Sequence, residues 1–268
     1  WRVTVLEQLD APGGRAYVYR QDGFTFDAGP TVITAPFLLE ELWALCGKRL
    51  ADDVKIVPVS PFYRVRFDSG EEFNYTGDPA QMPAEIGRFA PGDVQGYEDF
   101  LKASEAIYKV GFEQLGDKPF NHWTDMAKVV PQMVKLEAWR TVWQLACKHV
   151  QDPRLRVVLT FQSLLVGGNP FATTSVYCLI AFLERRFGVH FAIGGTGALV
   201  TGLVKLIEGQ GNVVRCNTGV AQILVKDGAA CGVQLANGER LAADAVVSNA
   251  DSATTYRKLV APEHRKRW

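Results

Sequence analysis

Cysteine is scarce and badly placed for any shared task. The five residues, Cys46, Cys147, Cys178, Cys216 and Cys231, are odd in number and never spaced as C-x-x-C. That argues against a disulfide framework or a zinc site and favours a reducing, cytoplasmic compartment. The four histidines are separated along the chain, so no metal cluster is expected. An excess of charge of one sign is missing as well. Twenty-nine basic and 29 acidic side chains cancel, leaving no general attraction for nucleic acid. Long apolar runs are absent: the longest, Val176 to Leu183, is too short to span a bilayer, and no leader peptide is visible. Attachment to one leaflet needs only an apolar surface patch and stays open.

What is present is a chain of 268 residues, 47% of them hydrophobic, with room for one large or two medium domains. Val3-Thr4-Val5-Leu6-Glu7 reads as a buried strand ending in an acid. A buried parallel strand needs a neighbour, so further sequence is expected before Trp1. After a loop at Asp10 to Arg15, Pro36 to Cys46 has helical spacing, and Val54 to Tyr75 alternates as strands around a Ser69-Gly70 turn. From Pro79 to Arg186 the pattern is mostly helical and rich in Trp and Leu. The last third returns to strands. Thr196 to Glu208 reads as a helix and Asn212 to Val247 as four strands, with hairpin signals at Asp227-Gly228 and Asn237-Gly238. Strand, helices, then strand suggests a nucleotide-binding sheet interrupted by a helical insertion.

Several residue groups can carry chemistry. An acid closing a strand, as Glu7 does, hydrogen-bonds the ribose in dinucleotide-binding folds; the competing reading is an ordinary surface Glu. Gly13-Gly14 lets backbone approach a flat or phosphorylated ligand, and Arg15 behind it can pair with phosphate. The competing reading there is a tight turn. Gly194 to Val200 fits neither G-x-G-x-x-G nor a P-loop, and reads instead as the cap of a helix near a flavin or substrate channel. Asp152-Pro153 is a standard helix start. Most of the aromatic residues Trp123, Trp139, Trp143 and Phe182 are expected in the core.

Leu6-Glu7 followed by Pro12-Gly13-Gly14-Arg15 resembles the second signature of the flavoprotein superfamily that includes amine oxidases. Gly23-Phe24-Thr25-Phe26-Asp27-Ala28-Gly29-Pro30-Thr31-Val32 and Ser163 to Thr173 are similar to the matching stretches of bacterial phytoene desaturases. Gly194 to Leu199 and Val247 to Asp251 continue in the same order. Ala192-Ile193 departs from the family, which often has Pro and a basic residue there.

The resemblance implies an α/β fold. It has a Rossmann-like FAD-binding domain built from residues 1–60 and 190–268, and a helical and mixed α+β substrate or membrane-contact insertion at 61–189. It implies FAD contacts from Glu7, Gly13, Gly14 and Arg15, with Gly29, Pro30 and Thr31 on the flavin side and Val220, Asn249 and Ala250 near the adenosine. Asp152 and the arginine after it, Arg156, match an acid and base that face the polyene. A carboxyl in an apolar tunnel would have a raised pKa and could exchange a proton, whereas the residue-level reading is a helix cap.

The implied reaction removes hydrogens from phytoene toward neurosporene or lycopene, with hydride passing to flavin and then to oxygen or a quinone. Phytoene's insolubility implies peripheral membrane contact. Alternatives are a diapophytoene or carotene desaturase or isomerase, more remotely an amine oxidase, or a fragment that is not an enzyme. By the resemblance the chain lacks the family's opening glycine loop and its C-terminal segment, so residues 1–268 alone are expected to retain little FAD.

Overall fold

The computed structural model describes residues 1–120 and 122–265, which divide into two compact units. One unit joins Trp1–Gly29 to the segment from Gly194 onward; the other is Pro30–Ile193.

The first unit begins with β1 (Thr4–Leu6), a single 3-10 turn at Gly14–Ala16, and the strands β2 (Val18–Gln21) and β3 (Phe24–Asp27). β2 and β3 form a hairpin that turns at Asp22-Gly23, where both φ angles are positive at 51° and 81°. An Asp-Gly pair tolerates that primed turn, whose twist matches the strands.

The second unit contains α1 (Pro36–Leu45), β4 (Ile56–Pro58), β5 (Tyr63–Arg66), β6 (Glu72–Tyr75), α2 (Gln81–Phe89) and α3 (Val94–Tyr108). It continues with α4 (Trp123–Lys135), α5 (Val142–His149), α6 (Pro153–Thr160), α7 (Leu179–Phe187) and β7 (His190–Ala192). Helix starts follow local chemistry. Thr141 Oγ1 accepts the Gln144 N–H at 3.1 Å, while the Gln144 side chain accepts the Thr141 N–H at 2.9 Å. That reciprocal cap begins α5. Phe73, Met82, Ile86, Phe100, Leu155 and Val158 lie in one buried cluster, which makes this unit's core.

The chain then returns to the first unit with α8 (Thr196–Glu208), β8 (Val213–Arg215), β9 (Val220–Lys226), β10 (Ala229–Leu235) and β11 (Arg240–Ala242). β8 pairs in parallel with β1, Thr4 opposite Val213, so strands from the two ends of the chain meet. β9, β10 and β11 form an antiparallel meander, with the expected turn at Asp227-Gly228 (φ 51° and 78°). The four strands and the helix read from the last third are all present.

Two expectations need correction. Residues 30–60 and 190–193 fall in the unit Pro30–Ile193 and not with residues 1–29. The reason is β4 pairing with β7, Ile56 opposite Ala192, together with a bridge between Ile33 and His190. The first strand is also not buried: Thr4 is exposed and Val5 and Leu6 are half-buried, because β8 is its one strand partner among the described residues.

Candidate functional site

The site builds up from the C-terminal end of β1. Glu7 follows the strand directly. Its N–H donates to the Arg215 carbonyl at 2.9 Å, and its own carbonyl accepts the Thr218 N–H at 2.8 Å. Those bonds fix Glu7 against the chain between β8 and β9, two residues from Val220. Its carboxylate Oε1 accepts the Leu9 N–H at 2.9 Å, which orients the side chain. Leu6, Val220 and Val246 pack on the same small core of Ile223, Val233 and Leu235. The residues beside Glu7, Val220 and the segment leading to Asn249 and Ala250 thus share one core. Asn249 and Ala250 are both exposed.

The three glycine motifs meet around Asp27, at the end of β3. The Gly14–Ala16 turn carries Arg15, and a Cβ placed on Gly29 would stand 1.9 Å from the Arg15 carbonyl oxygen. Only glycine allows that approach. Across 169 residues of sequence, the Thr196 N–H at the start of α8 donates to Asp27 Oδ2 at 3.3 Å. A Cβ on Gly195 would lie 2.5 Å from that same oxygen, and Gly195 itself has φ +75°. Gly194-Gly195 therefore leads into a helix whose first N–H is taken by the Asp27 carboxylate. Asp27 lies within the Gly23–Val32 motif, and its position just before Ala28-Gly29 carries no local signal of a partner so far along the chain.

Pro30 and Thr31, expected near the flavin, fall in the other unit. Gly13, Gly14, Arg15 and Gly29 share the first. Whether these residues suit a dinucleotide can be judged from their geometry. Gly14 has φ +54° and open space where a Cβ would be, so its backbone is bare to an incoming ligand. Arg15 is exposed and its guanidinium has no carboxylate partner among the described residues. A carboxylate that can accept from hydroxyls, bare backbone and an unpaired guanidinium are the acceptor and donors a ribose-phosphate needs. The residues fit the group.

Comparison with known proteins decides the family. The flavin containing amine oxidoreductase family matches residues 1–268. The chain belongs to this family. It is 47% identical over its whole length to the phytoene desaturase (neurosporene-forming) of Cereibacter sphaeroides, covering 52% of that protein. It is 50% identical over 96% of its length to the phytoene desaturase (lycopene-forming) of Pantoea ananas, again covering 52%. The chain spans about half the length of the curated relatives it matches. Among solved structures, putrescine oxidase bound to putrescine superposes with a TM-score of 0.61 at 15% identity, over 96% of this chain and 54% of that one. An oxidoreductase from Methanosarcina mazei gives 0.62 at 17%, over 96% and 55%. At such identity these two speak for the fold alone.

In the helical unit, Asp152 caps α6. Its Oδ1 accepts the Arg154 N–H at 2.8 Å, and its Oδ2 accepts from the Arg154 guanidinium at 2.7 Å. Arg154 also reaches Glu71 at 2.7 Å and lies 4.4 Å from the Phe89 ring centroid. Arg156 is not the partner of Asp152; its Nε donates to the Val150 carbonyl at 2.8 Å. The expected raised pKa is reversed. The Arg154 guanidinium holds the Asp152 carboxyl below the usual carboxylate range, reinforced by the helix N–H groups and opposed by partial burial. Asp152→Ala is expected to cost about 1 kcal/mol of stability near neutral pH, the usual loss for a helix cap. That loss should shrink as pH falls through the folded-state pKa, where the wild-type carboxyl gains its proton. Denaturant titrations at pH 7 and pH 3 check this.

The aromatic expectation divides. Phe182 packs on Tyr108 with centroids 5.2 Å apart and Trp143 on Phe171 at 4.9 Å, but Trp123 and Trp139 are exposed. Glu184 of α7 was not anticipated at all. It is fully buried, and the Tyr63 hydroxyl donates to its Oε1 at 2.6 Å. In sequence it begins a charged run, Glu184-Arg185-Arg186, that looks like a solvated helix end. Its spacing of three from the buried Ala181 is the signal that it turns inward.

Proposed function

We propose that the full-length protein is an FAD-dependent phytoene desaturase that introduces double bonds toward neurosporene or lycopene. The observation that carries this is 45–50% identity, along 96–100% of the chain, to proteins named for those two products. When bound, FAD supplies the hydride acceptor that no side chain offers. Glu7 would take the ribose hydroxyls, and the bare backbone of Gly14, next to Gly13, with the Arg15 guanidinium would take the pyrophosphate. The resemblance assigns Gly29, Pro30 and Thr31 to the flavin side and Val220, Asn249 and Ala250 to the adenosine. The proton released from the polyene would go to Asp152 or to water, with Arg156 held apart on the Val150 carbonyl. Water is favoured because Arg154 stabilises the Asp152 carboxylate and lowers its basicity. Oxygen or a quinone would be the final electron acceptor. Purified full-length protein supplied with phytoene should yield coloured polyenes; the absence of any coloured product counts against this reading.

The reading includes peripheral contact with a membrane, and α4 supports it. No residue of this helix is buried, and Trp123, Met126, Val130 and Val134 recur on one face, each more than half exposed. No helix among the described residues is long and apolar enough to cross a bilayer. A stripe of this kind suits the interface of one leaflet. Replacing Trp123 and Val130 together by Ser should lower the partition coefficient of full-length protein onto phospholipid vesicles, read by sedimentation, by about a hundredfold or more, given ~1.5–3 kcal/mol for each large apolar side chain. Unchanged sedimentation would sink the assignment to α4.

A further inference from the structure

Where α4 gives way to α5, the surface opens into a groove of about 710 Å³ lined by Trp139, Arg140, Trp143, Gln144, Cys147 and Lys148. α5 supplies four of these from one face. Trp143 and Cys147 lie one turn apart, as do Gln144 and Lys148, while Val142, Leu145 and Ala146 turn into the core. Trp139 and Arg140 come from the tight turn that closes α4. There the Glu137 N–H donates to the Val134 carbonyl at 3.0 Å, and the Arg140 N–H to the Glu137 carbonyl at 2.9 Å.

Glu137 holds two cations at once. Its Oε2 pairs with Arg140 Nε, and its Oε1 accepts from Lys148 Nζ at 2.6 Å. Lys148 and Arg140 hold the Glu137 carboxyl below the usual carboxylate range, so one negative charge faces two positive ones at neutral pH. The trio keeps a net charge of +1, which complements a single phosphodiester. The terminal guanidinium nitrogens of Arg140 have no acceptor among the described residues. The side chains of Arg140 and Lys148 are 34% and 44% exposed, so an anion in the groove can reach both. Two indole rings flank them: Trp139 is exposed, and Trp143 is half-buried against Phe171. Tryptophan rings of this kind sit at the level of lipid headgroups, and long cationic side chains carry their charge to the same level. The apolar stripe of α4 ends at Val134, three residues before Glu137, so the cationic groove continues the surface that would meet the acyl boundary.

We propose that this groove binds the phosphodiester of an anionic phospholipid headgroup, with Arg140 and Lys148 on the phosphate and Trp139 and Trp143 beside the glycerol. The proposal rests on the membrane reading of α4 above and adds a preference for lipid charge that an apolar stripe does not confer.

The test uses full-length protein and its partition onto two kinds of vesicle, read by sedimentation. One is phosphatidylcholine alone; the other is phosphatidylcholine and phosphatidylglycerol in equal parts. Wild type should prefer the mixed vesicles. Arg140→Gln with Lys148→Gln should lower the partition coefficient onto mixed vesicles about thirtyfold, about fivefold for each cation lost, and change that onto phosphatidylcholine little. Arg49→Gln with Arg64→Gln removes two cations that also pair with carboxylates but do not line the groove, and should leave the preference nearly intact. An equal loss in the two double variants means diffuse surface charge and overturns the proposal. So does an unchanged preference in Arg140→Gln with Lys148→Gln; an altered melting temperature or oligomeric state in that case would assign the groove to the rest of the chain or to a second copy. Binding of inorganic phosphate by a wild type with no vesicle preference would make this a site for a soluble anion, which also overturns it. If the groove double variant does not accumulate as folded protein, Lys148→Gln alone decides by its fivefold loss. Wild type that partitions onto neither kind of vesicle removes the membrane reading and the proposal with it. Equal partition onto both leaves that reading standing and removes the proposal alone.

Discussion

Glu184→Gln should make the protein more stable at pH 8 by roughly 2–3 kcal/mol and leave it nearly unchanged at pH 4. Glu184 is 0% exposed, and its Oε2 is buried with no hydrogen-bond partner. Burial raises its pKa from 4.5 to about 7, against the opposing hydrogen bond from Tyr63 and the pull of the nearby Gln162 amide. The groups around it are Tyr63 of β5, Tyr75 of β6 and Gln162, with Arg185 beside it on α7 and acting on Tyr75 and Tyr97. None of these is a counter-charge paired to the carboxylate. Below 4.5 the carboxyl is protonated in both folded and unfolded chains and costs nothing. As pH rises from there through about 7, the unfolded chain ionises freely while the folded one resists, and stability falls. The neutral amide removes that loss and still accepts the Tyr63 hydroxyl. Thermal melts from pH 4 to pH 9 check it: wild type and variant should coincide at the acid end and separate above neutrality, by several degrees. Parallel curves across the range would show that Glu184 does not ionise there.

The features that were legible in the sequence are those in which a local pattern and a local cause coincide. The turn at Asp227-Gly228 needs two positive φ angles and carries the two residues that accept them. The helix Thr196–Glu208 was read with its observed bounds because a glycine pair precedes an apolar run of helical period. Asp152-Pro153 declared a helix start, and its carboxylate caps the following turn. What stayed hidden depends on partners far away in the chain. No local period reveals that Asp27 meets Thr196, or that β4 runs beside β7 and draws residues 30–60 into the helical unit. Glu184 was concealed for a different reason. Its residue type predicts solvent, and only the phase of α7 relative to Ala181 turns it into the core. The candidate site divides in the same way: Glu7, Gly13, Gly14 and Arg15 were readable as a motif, whereas the carboxylate joining them to α8 required the fold.

Gly29→Ala is the substitution expected to damage the candidate site most directly. A methyl group on residue 29 would stand 1.9 Å from the Arg15 carbonyl oxygen and 2.9 Å from its carbon. Both are backbone atoms, so no rotamer relieves the contact; the end of the hairpin and the glycine-arginine turn must move apart. That displacement shifts Arg15 on one side and Asp27, two residues away, on the other. Overpacking of this kind costs about 1–3 kcal/mol, and here one of the moving parts, the turn bearing Arg15, is proposed to hold the dinucleotide. Full-length Gly29→Ala should therefore lose most of its bound flavin, read as the ratio of visible flavin absorbance to protein absorbance. Gly14→Ala provides the contrast. Its φ of +54° is a left-handed conformation that costs an alanine about 1 kcal/mol, but no atom lies within 4 Å of the added methyl. It should lower the melting temperature slightly and leave flavin content much less affected. If Gly29→Ala keeps a wild-type flavin ratio, the close approach of Gly29 to Arg15 does not shape the site. If Gly14→Ala proves the more damaging of the two, the cofactor makes its tightest contact at the turn itself, at the bare face of Gly14.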